Sequence, residues 1–136
     1  AADDSRFATS GINVGLFCST PSVPVSRNLG RKQAMELLLT GHFIDAHTAL
    51  QWGLVNRVVP ASRLDQEVAD LAGSIMSKSW VAVATGKRMF YKQLELPLES
   101  AYDYASGVMA GNMMADDVEE GVDAFMQKRT PVWKHQ

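Results

Sequence analysis

A single thiol, three imidazoles and two blocks of opposite charge are the residues of this chain with chemistry to offer. Cys18 stands beside Ser19 in Gly15-Leu16-Phe17-Cys18-Ser19-Thr20, and either becomes a nucleophile or proton carrier only if a base lies next to it. No histidine or acid is close to Cys18 in sequence, so packing or helix capping is the stronger reading of this pair. A lone cysteine forms no internal disulfide and builds no thiolate metal site. His42 and His47 lie five residues apart and His135 is near the C-terminus, a pattern unlike two ligands on one helix face. Surface histidines are expected, and no metal site. Between Leu71 and Leu94 the only charges are Lys78, Lys87, Arg88 and Lys92, while from Glu95 to Asp123 every charge is acidic. The four bases spread around their helix as a solvated face does. With net charge −2 and no interleaving of bases with aromatics, nucleic acid is not an expected partner.

Elements must hold these residues. Residues 7–19 are short, broken by Gly11 and Gly15 and partly alternating, which predicts a short strand and an irregular loop. Residues 20–28 carry Pro21 and Pro24 near a helix start, where a missing N–H is tolerated, and Gly30 ends them. Ala34, Leu37 and Leu38 then recur at helical spacing up to Gly41. Phe43-Ile44 is a brief extended step, Asp45 caps a helix over Ala46–Trp52, and Gly53 closes it. Residues 54–59 form a β-branched run halted by Pro60. Ser62 caps a helix in which Leu64, Val68, Leu71, Ala72, Ile75 and Met76 share a face. Helices follow over about residues 81–93 and 98–112, and Asp116 or Asp117 caps a last one with Val118, Val122, Phe125 and Met126 on one side. Met109, Met113, Met114 and Met126 read as adaptable packing.

The 136 residues, 46% apolar and 21% charged, have the profile of a folded domain able to bury roughly two-thirds of its unfolded surface. No apolar run approaches the ~18 residues that cross a bilayer, so no membrane is expected as a partner. Ala1-Ala2-Asp3-Asp4 lacks a secretory profile, and the missing initiator Met suits a trimmed product or a piece of a longer chain. A reducing compartment fits the single thiol. Two or three short strands before some six helices cannot make a sheet with managed edges, so the apolar stripes require cover from a longer parent chain or from other subunits.

The block Ala34-Met35-Glu36-Leu37-Leu38-Leu39-Thr40-Gly41, then Ile44-Asp45-Ala46, Ala49 and Gly53-Leu54-Val55-Asn56-Arg57-Val58-Val59-Pro60, closely resembles the segment that follows the active-site loop in the enoyl-CoA hydratase/isomerase (crotonase) superfamily. Residues 120–133, Glu-Gly-Val-Asp-Ala-Phe-Met-Gln-Lys-Arg-Thr-Pro-Val-Trp, resemble its C-terminal helix. Residues 7–21 are most similar to a mitochondrial and bacterial subgroup, the enoyl-CoA hydratase domain-containing proteins three. The resemblance runs in order over nearly the whole chain.

It implies an α/β, crotonase-like fold with a stacked ββα core, of which this chain is the mostly helical C-terminal part. Residues 1–60 would be the end of the core and the active-site loop, and residues 61–136 the helical oligomerisation region. Complete members are about twice as long, and their first half supplies both oxyanion-hole N–H groups and one hydratase glutamate. The ligand implied is an acyl-CoA thioester, with coenzyme A as part of the substrate and no other cofactor, in a homotrimer or dimer of trimers. The second hydratase glutamate belongs in a Pro-Glu-Ile or Pro-Glu-Val triplet, and the aligned triplet here is Ser10-Gly11-Ile12. Gly11 therefore stands at the acid position, and Cys18 or Ser19 is a substitute polar group. Ser10, Gly11, Val14 and Phe17 would meet the substrate. Phe125 and Lys128 match the aromatic and lysine that the family sets against the adenine end of coenzyme A. The compartment implied is a bacterial cytoplasm or the mitochondrial matrix.

Overall fold

A computed structural model describes residues 1–134 and is mostly helical, with one short two-stranded ladder among the described residues. The order is β1 (Arg6–Phe7), a 3₁₀ turn (Ser10–Val14), α1 (Ser19–Asn28), α2 (Arg31–Thr40), β2 (Ile44–Asp45), α3 (Ala46–Trp52), a second 3₁₀ turn (Ala61–Arg63), α4 (Leu64–Met76), α5 (Trp80–Gln93), α6 (Leu98–Asn112) and α7 (Asp116–Met126). The chain divides into two compact units, Ala1–Ala69 and the residues from Asp70 onward. His135 lies outside the described residues.

In the first unit β1 and β2 pair antiparallel, Arg6 with Asp45 and Phe7 with Ile44. The stripe expected on α2 is the buried one: Ala34, Leu37 and Leu38 face inward, and Leu29, Ala34 and Leu37 form a core with Val25, Ile44, Trp52 and Leu54 against it. Gly41 ends α2 in the left-handed region at φ 62°, and a Cβ there would stand 2.8 Å from Ile12 Cγ2, so two separate constraints require glycine. Asp45 caps α3 as expected, accepting from Thr48 N at 2.7 Å, and that bond holds its carboxyl below the usual carboxylate range.

The first 3₁₀ turn is tied to α2 by side chains. The buried Thr9 hydroxyl donates to Leu37 O at 2.7 Å, and Asn13 Nδ2 donates to Gly41 O at 3.4 Å. Thr9→Val keeps the shape and deletes the first bond. It is expected to cost about 1 kcal/mol in urea unfolding of the whole protein, with no change in its helix content.

Four expectations need correction. Residues 54–59 form no strand, because the extended N-terminal residues meet them at one position only: Ala2 and Val59 make an isolated parallel bridge through Asp3 N to Val59 O (2.9 Å) and Val59 N to Ala1 O (3.1 Å). Pro24 stands well inside α1, not at its start, because the helix already begins at Ser19. Ser62 lies within the second 3₁₀ turn, which enters α4 from Pro60 without a side-chain cap. Finally, α7 starts after Ala115, and neither Asp116 nor Asp117 caps it. Asp117 is turned inward and buried, accepting from Ser79 Oγ at 2.5 Å and from Lys134 N at 2.7 Å.

The second unit is built from α5 packed on α6, with α7 following. Ser79 caps α5 by accepting from Ala82 N, and Lys92 Nζ sits 4.5 Å above the Tyr104 ring. Few large side chains are covered: of the eight buried apolar residues among the described ones five are alanines, and only Ala124 lies in this second unit. The α4 face expected from Val68, Ile75 and Met76 is formed and open to solvent. The chain exposes 10025 Å². Large apolar side chains stand exposed on its helices, including Trp80, Leu98 and Tyr102.

Candidate functional site

Six of the expected site residues ride on one short stretch of the first unit. Ser10 opens the 3₁₀ turn, exposed, and Gly11 follows half-buried. The turn closes at Gly15, left-handed at φ 78°, with Gly15 N donating to Ile12 O (3.1 Å) and Leu16 N to Gly11 O (3.0 Å). These bonds curl the chain so that residues 16–18 return onto residue 11. A Cβ at Gly11 would lie 2.7 Å from both Cys18 Sγ and Leu16 O. Real Cβ atoms do not approach so closely, so this backbone admits no side chain at position 11. Val14 and Phe17 stay exposed on the same stretch.

Cys18 and Ser19 start α1. The Cys18 carbonyl accepts from Ser22 N at 2.9 Å, but its thiol caps nothing and packs at Gly11 instead. The Ser19 hydroxyl donates back to Phe17 O at 3.3 Å. No set of three His, Cys, Asp or Glu among the described residues gathers as metal ligands, and no helix among them is long and apolar enough to cross a membrane.

The other two expected residues are at the end of α7, in the second unit. Phe125 is 81% exposed, so it is not a core residue of this unit; the buried positions of α7 are Asp117 and Ala124. Phe125 borders an open groove of about 460 Å³ that Lys78, Val81, Val122 and Trp133 also line. Lys128 follows the helix at φ 53°, the one non-glycine residue with positive φ among those described. Its N–H donates to Phe125 O (3.2 Å) and Arg129 N–H to Ala124 O (3.0 Å), the bond pair of a Schellman helix end.

Beyond Lys128 the chain doubles back along α7. Arg129 grips Glu120 with both guanidinium nitrogens, at 2.5 and 2.8 Å, and Glu120 Oε1 also accepts from Val132 N at 2.7 Å. Trp133 Nε1 donates to Ser77 O (2.8 Å), and its ring lies where Gly121 leaves room. Neither the Glu120–Arg129 pair nor the Ser79–Asp117 pair is foreseen from sequence, because spacings of 9 and 38 residues carry no periodic signal.

Arg129 beside Glu120, helped by Val132 N–H, holds the glutamate carboxyl at about 2, against an ordinary 4.5. The same bond pushes the Arg129 guanidinium up. A depressed folded-state value means the ionised form is favoured by folding. Its stabilising contribution is therefore complete above about pH 4.5 and disappears as pH falls toward 2. The stability difference between wild type and Glu120→Gln, read from urea midpoints, is expected to be constant from pH 7 to 5 and to shrink steadily below.

The enoyl-CoA hydratase/isomerase family model matches residues 1–136. Mitochondrial enoyl-CoA hydratase domain-containing protein 3 of Rattus norvegicus is 50% identical over 99% of this chain and 45% of its own length. Carnitinyl-CoA dehydratase of Citrobacter koseri is 33% identical over 98% of this chain and 53% of its own. Among solved structures, an enoyl-CoA hydratase of Mycobacterium smegmatis superposes with a TM-score of 0.94 at 54% identity, covering 98% of this chain and 52% of that one. Human enoyl-CoA hydratase domain-containing protein 3 gives 0.93 at 49%, covering 98% and 53%. The chain spans about half the length of these relatives, and its fold is the mostly helical portion of the crotonase fold, as expected. Across all its residues, the chain belongs to the enoyl-CoA hydratase/isomerase family.

Proposed function

We propose that this chain is the C-terminal half of a protein that binds acyl-CoA thioesters in fatty-acid metabolism, and that its ordinary hydratase chemistry is lost at position 11. The thioester carbonyl would be held by two backbone donors in the other half, each worth roughly 3 to 4 kcal/mol to a developing enolate. Ser10, Gly11, Val14 and Phe17 would border the acyl end. Phe125 offers an apolar face to the purine and Lys128 a point charge to phosphate. Both would serve a neighbouring subunit in a homotrimer or dimer of trimers, an assembly supported by the open faces of α4 to α7. Coenzyme A arrives as part of the substrate, in a mitochondrial matrix or bacterial cytoplasm.

Adding water across an enoyl double bond needs one group to take the proton of water and another to supply a proton to carbon. Two carboxyls normally flank the water. The hydrogen of Gly11 supplies nothing, and the space around it is filled by the Cys18 thiol and the Leu16 carbonyl. That packing is the observation that carries the reading. It also favours a second one, a non-catalytic acyl-CoA-binding or oligomeric homologue. Cys18 and Ser19 are the substitute groups for a catalytic version, one a thiol at the right place and the other a hydroxyl turned to Phe17 O.

The test is to titrate the whole protein with saturated and enoyl-CoA thioesters of increasing chain length and to score products in the same samples. Binding with turnover other than hydration supports the enzyme; binding without any product supports the second reading. Failure to bind any thioester overturns both.

A further inference from the structure

We infer that the Glu120–Arg129 pair is a positioning clamp for Lys128, holding its backbone left-handed so that its ammonium is presented to the phosphate-bearing end of an acyl-CoA. This rests on the reading of Lys128 given above, and it adds two residues to that site. Lys128 alone among the described non-glycine residues has positive φ. An L-residue bears steric strain there that glycine escapes, and the other left-handed positions, Gly15, Gly41 and Gly53, are glycines. A helix end of this type forms at least as well with glycine. The fold therefore gains nothing from lysine at this position, yet it holds the strained turn from both sides. Arg129 Nε donates to Gln127 Oε1 at 2.8 Å, so one guanidinium ties together the two residues that flank Lys128. Its two Nη atoms are anchored on Glu120, nine residues back on α7. The second acceptor role of Glu120, toward Val132 N, fastens the returning chain to the same carboxylate. The Lys128 ammonium itself makes no hydrogen bond or ion pair within the described residues, which leaves it free for a ligand anion.

The probes are one acyl-CoA and the matching acyl-pantetheine, which lacks every phosphate; the readout is the ratio of their Kd values for the whole protein. Lys128→Gly is expected to raise the melting temperature slightly and to reduce the preference for acyl-CoA roughly tenfold, the lower end of what a hydrogen bond to a charged group supplies. Glu120→Gln, and separately Arg129→Lys, which keeps the charge but loses the fork, are each expected to reduce that preference about threefold while acyl-pantetheine affinity holds. Glu67→Gln removes the ion pair with Arg57 in the other unit and should leave the ratio unchanged. A ratio unchanged in Lys128→Gly overturns the phosphate role of Lys128 and the clamp with it. A ratio reduced in Lys128→Gly but unchanged in both clamp variants overturns the clamp alone. If Glu120→Gln does not fold, Arg129→Lys decides.

Discussion

Replacing Gly11 by glutamate is expected to destabilise the protein by about 2–3 kcal/mol and to leave its crotonyl-CoA hydration no faster. In the proposed reading position 11 lacks a hydratase's carboxyl, and glutamate there would be the simple repair. The geometry forbids it. A new Cβ meets Cys18 Sγ and Leu16 O, both at 2.7 Å. A thiol can rotate away, but the Leu16 carbonyl is part of the backbone that closes the 3₁₀ turn through Gly15. Making room means reopening that turn, which carries Thr9 and Asn13 against α2. Adding Cys18→Ala to the glutamate variant relieves one contact only and is expected to recover less than half the lost stability in urea unfolding. Full recovery, or a gain in hydration, would show that the turn yields more easily than its packing indicates.

Asp117→Ala is expected to cost about 3 kcal/mol, although the residue is not among the proposed acyl and nucleotide contacts. Its carboxylate is 4% exposed and accepts from Ser79 Oγ and Lys134 N. Removing it strands two donors in a buried place, and Ser79 is also the cap of α5. A double-mutant cycle with Ser79→Ala should show coupling of about 1 kcal/mol or more, since each residue completes the other's hydrogen bond. Additive losses would mean that the two act separately.

What was legible in the sequence is what depends on neighbours along the chain. Gly41 and Gly53 end helices in left-handed turns and Asp45 begins one, all as their residue types indicate, and Ala34, Leu37 and Leu38 bury the face their spacing marks out. The crowding at Gly11 was not legible, because only the curl through Gly15 brings Cys18 back to it. Asp117 looked like a helix cap by type and position, but its partner Ser79 is 38 residues away, and a buried hydroxyl outcompeted the local cap. The apolar stripe of α4 was correctly periodic but told nothing of what covers it, and within this chain it stays open. Residues 54–59 had the composition of a strand but lacked an extended partner longer than one residue pair.

The most direct measurement is the steady-state hydration of crotonyl-CoA by the whole protein, alongside a binding assay that verifies the thioester is held. A cradle without its proton-donating carboxyl predicts that the ligand binds while 3-hydroxybutyryl-CoA forms at or near the background rate. Turnover at the pace of an ordinary hydratase would mean that another group delivers the proton at Gly11, and the account would fail there.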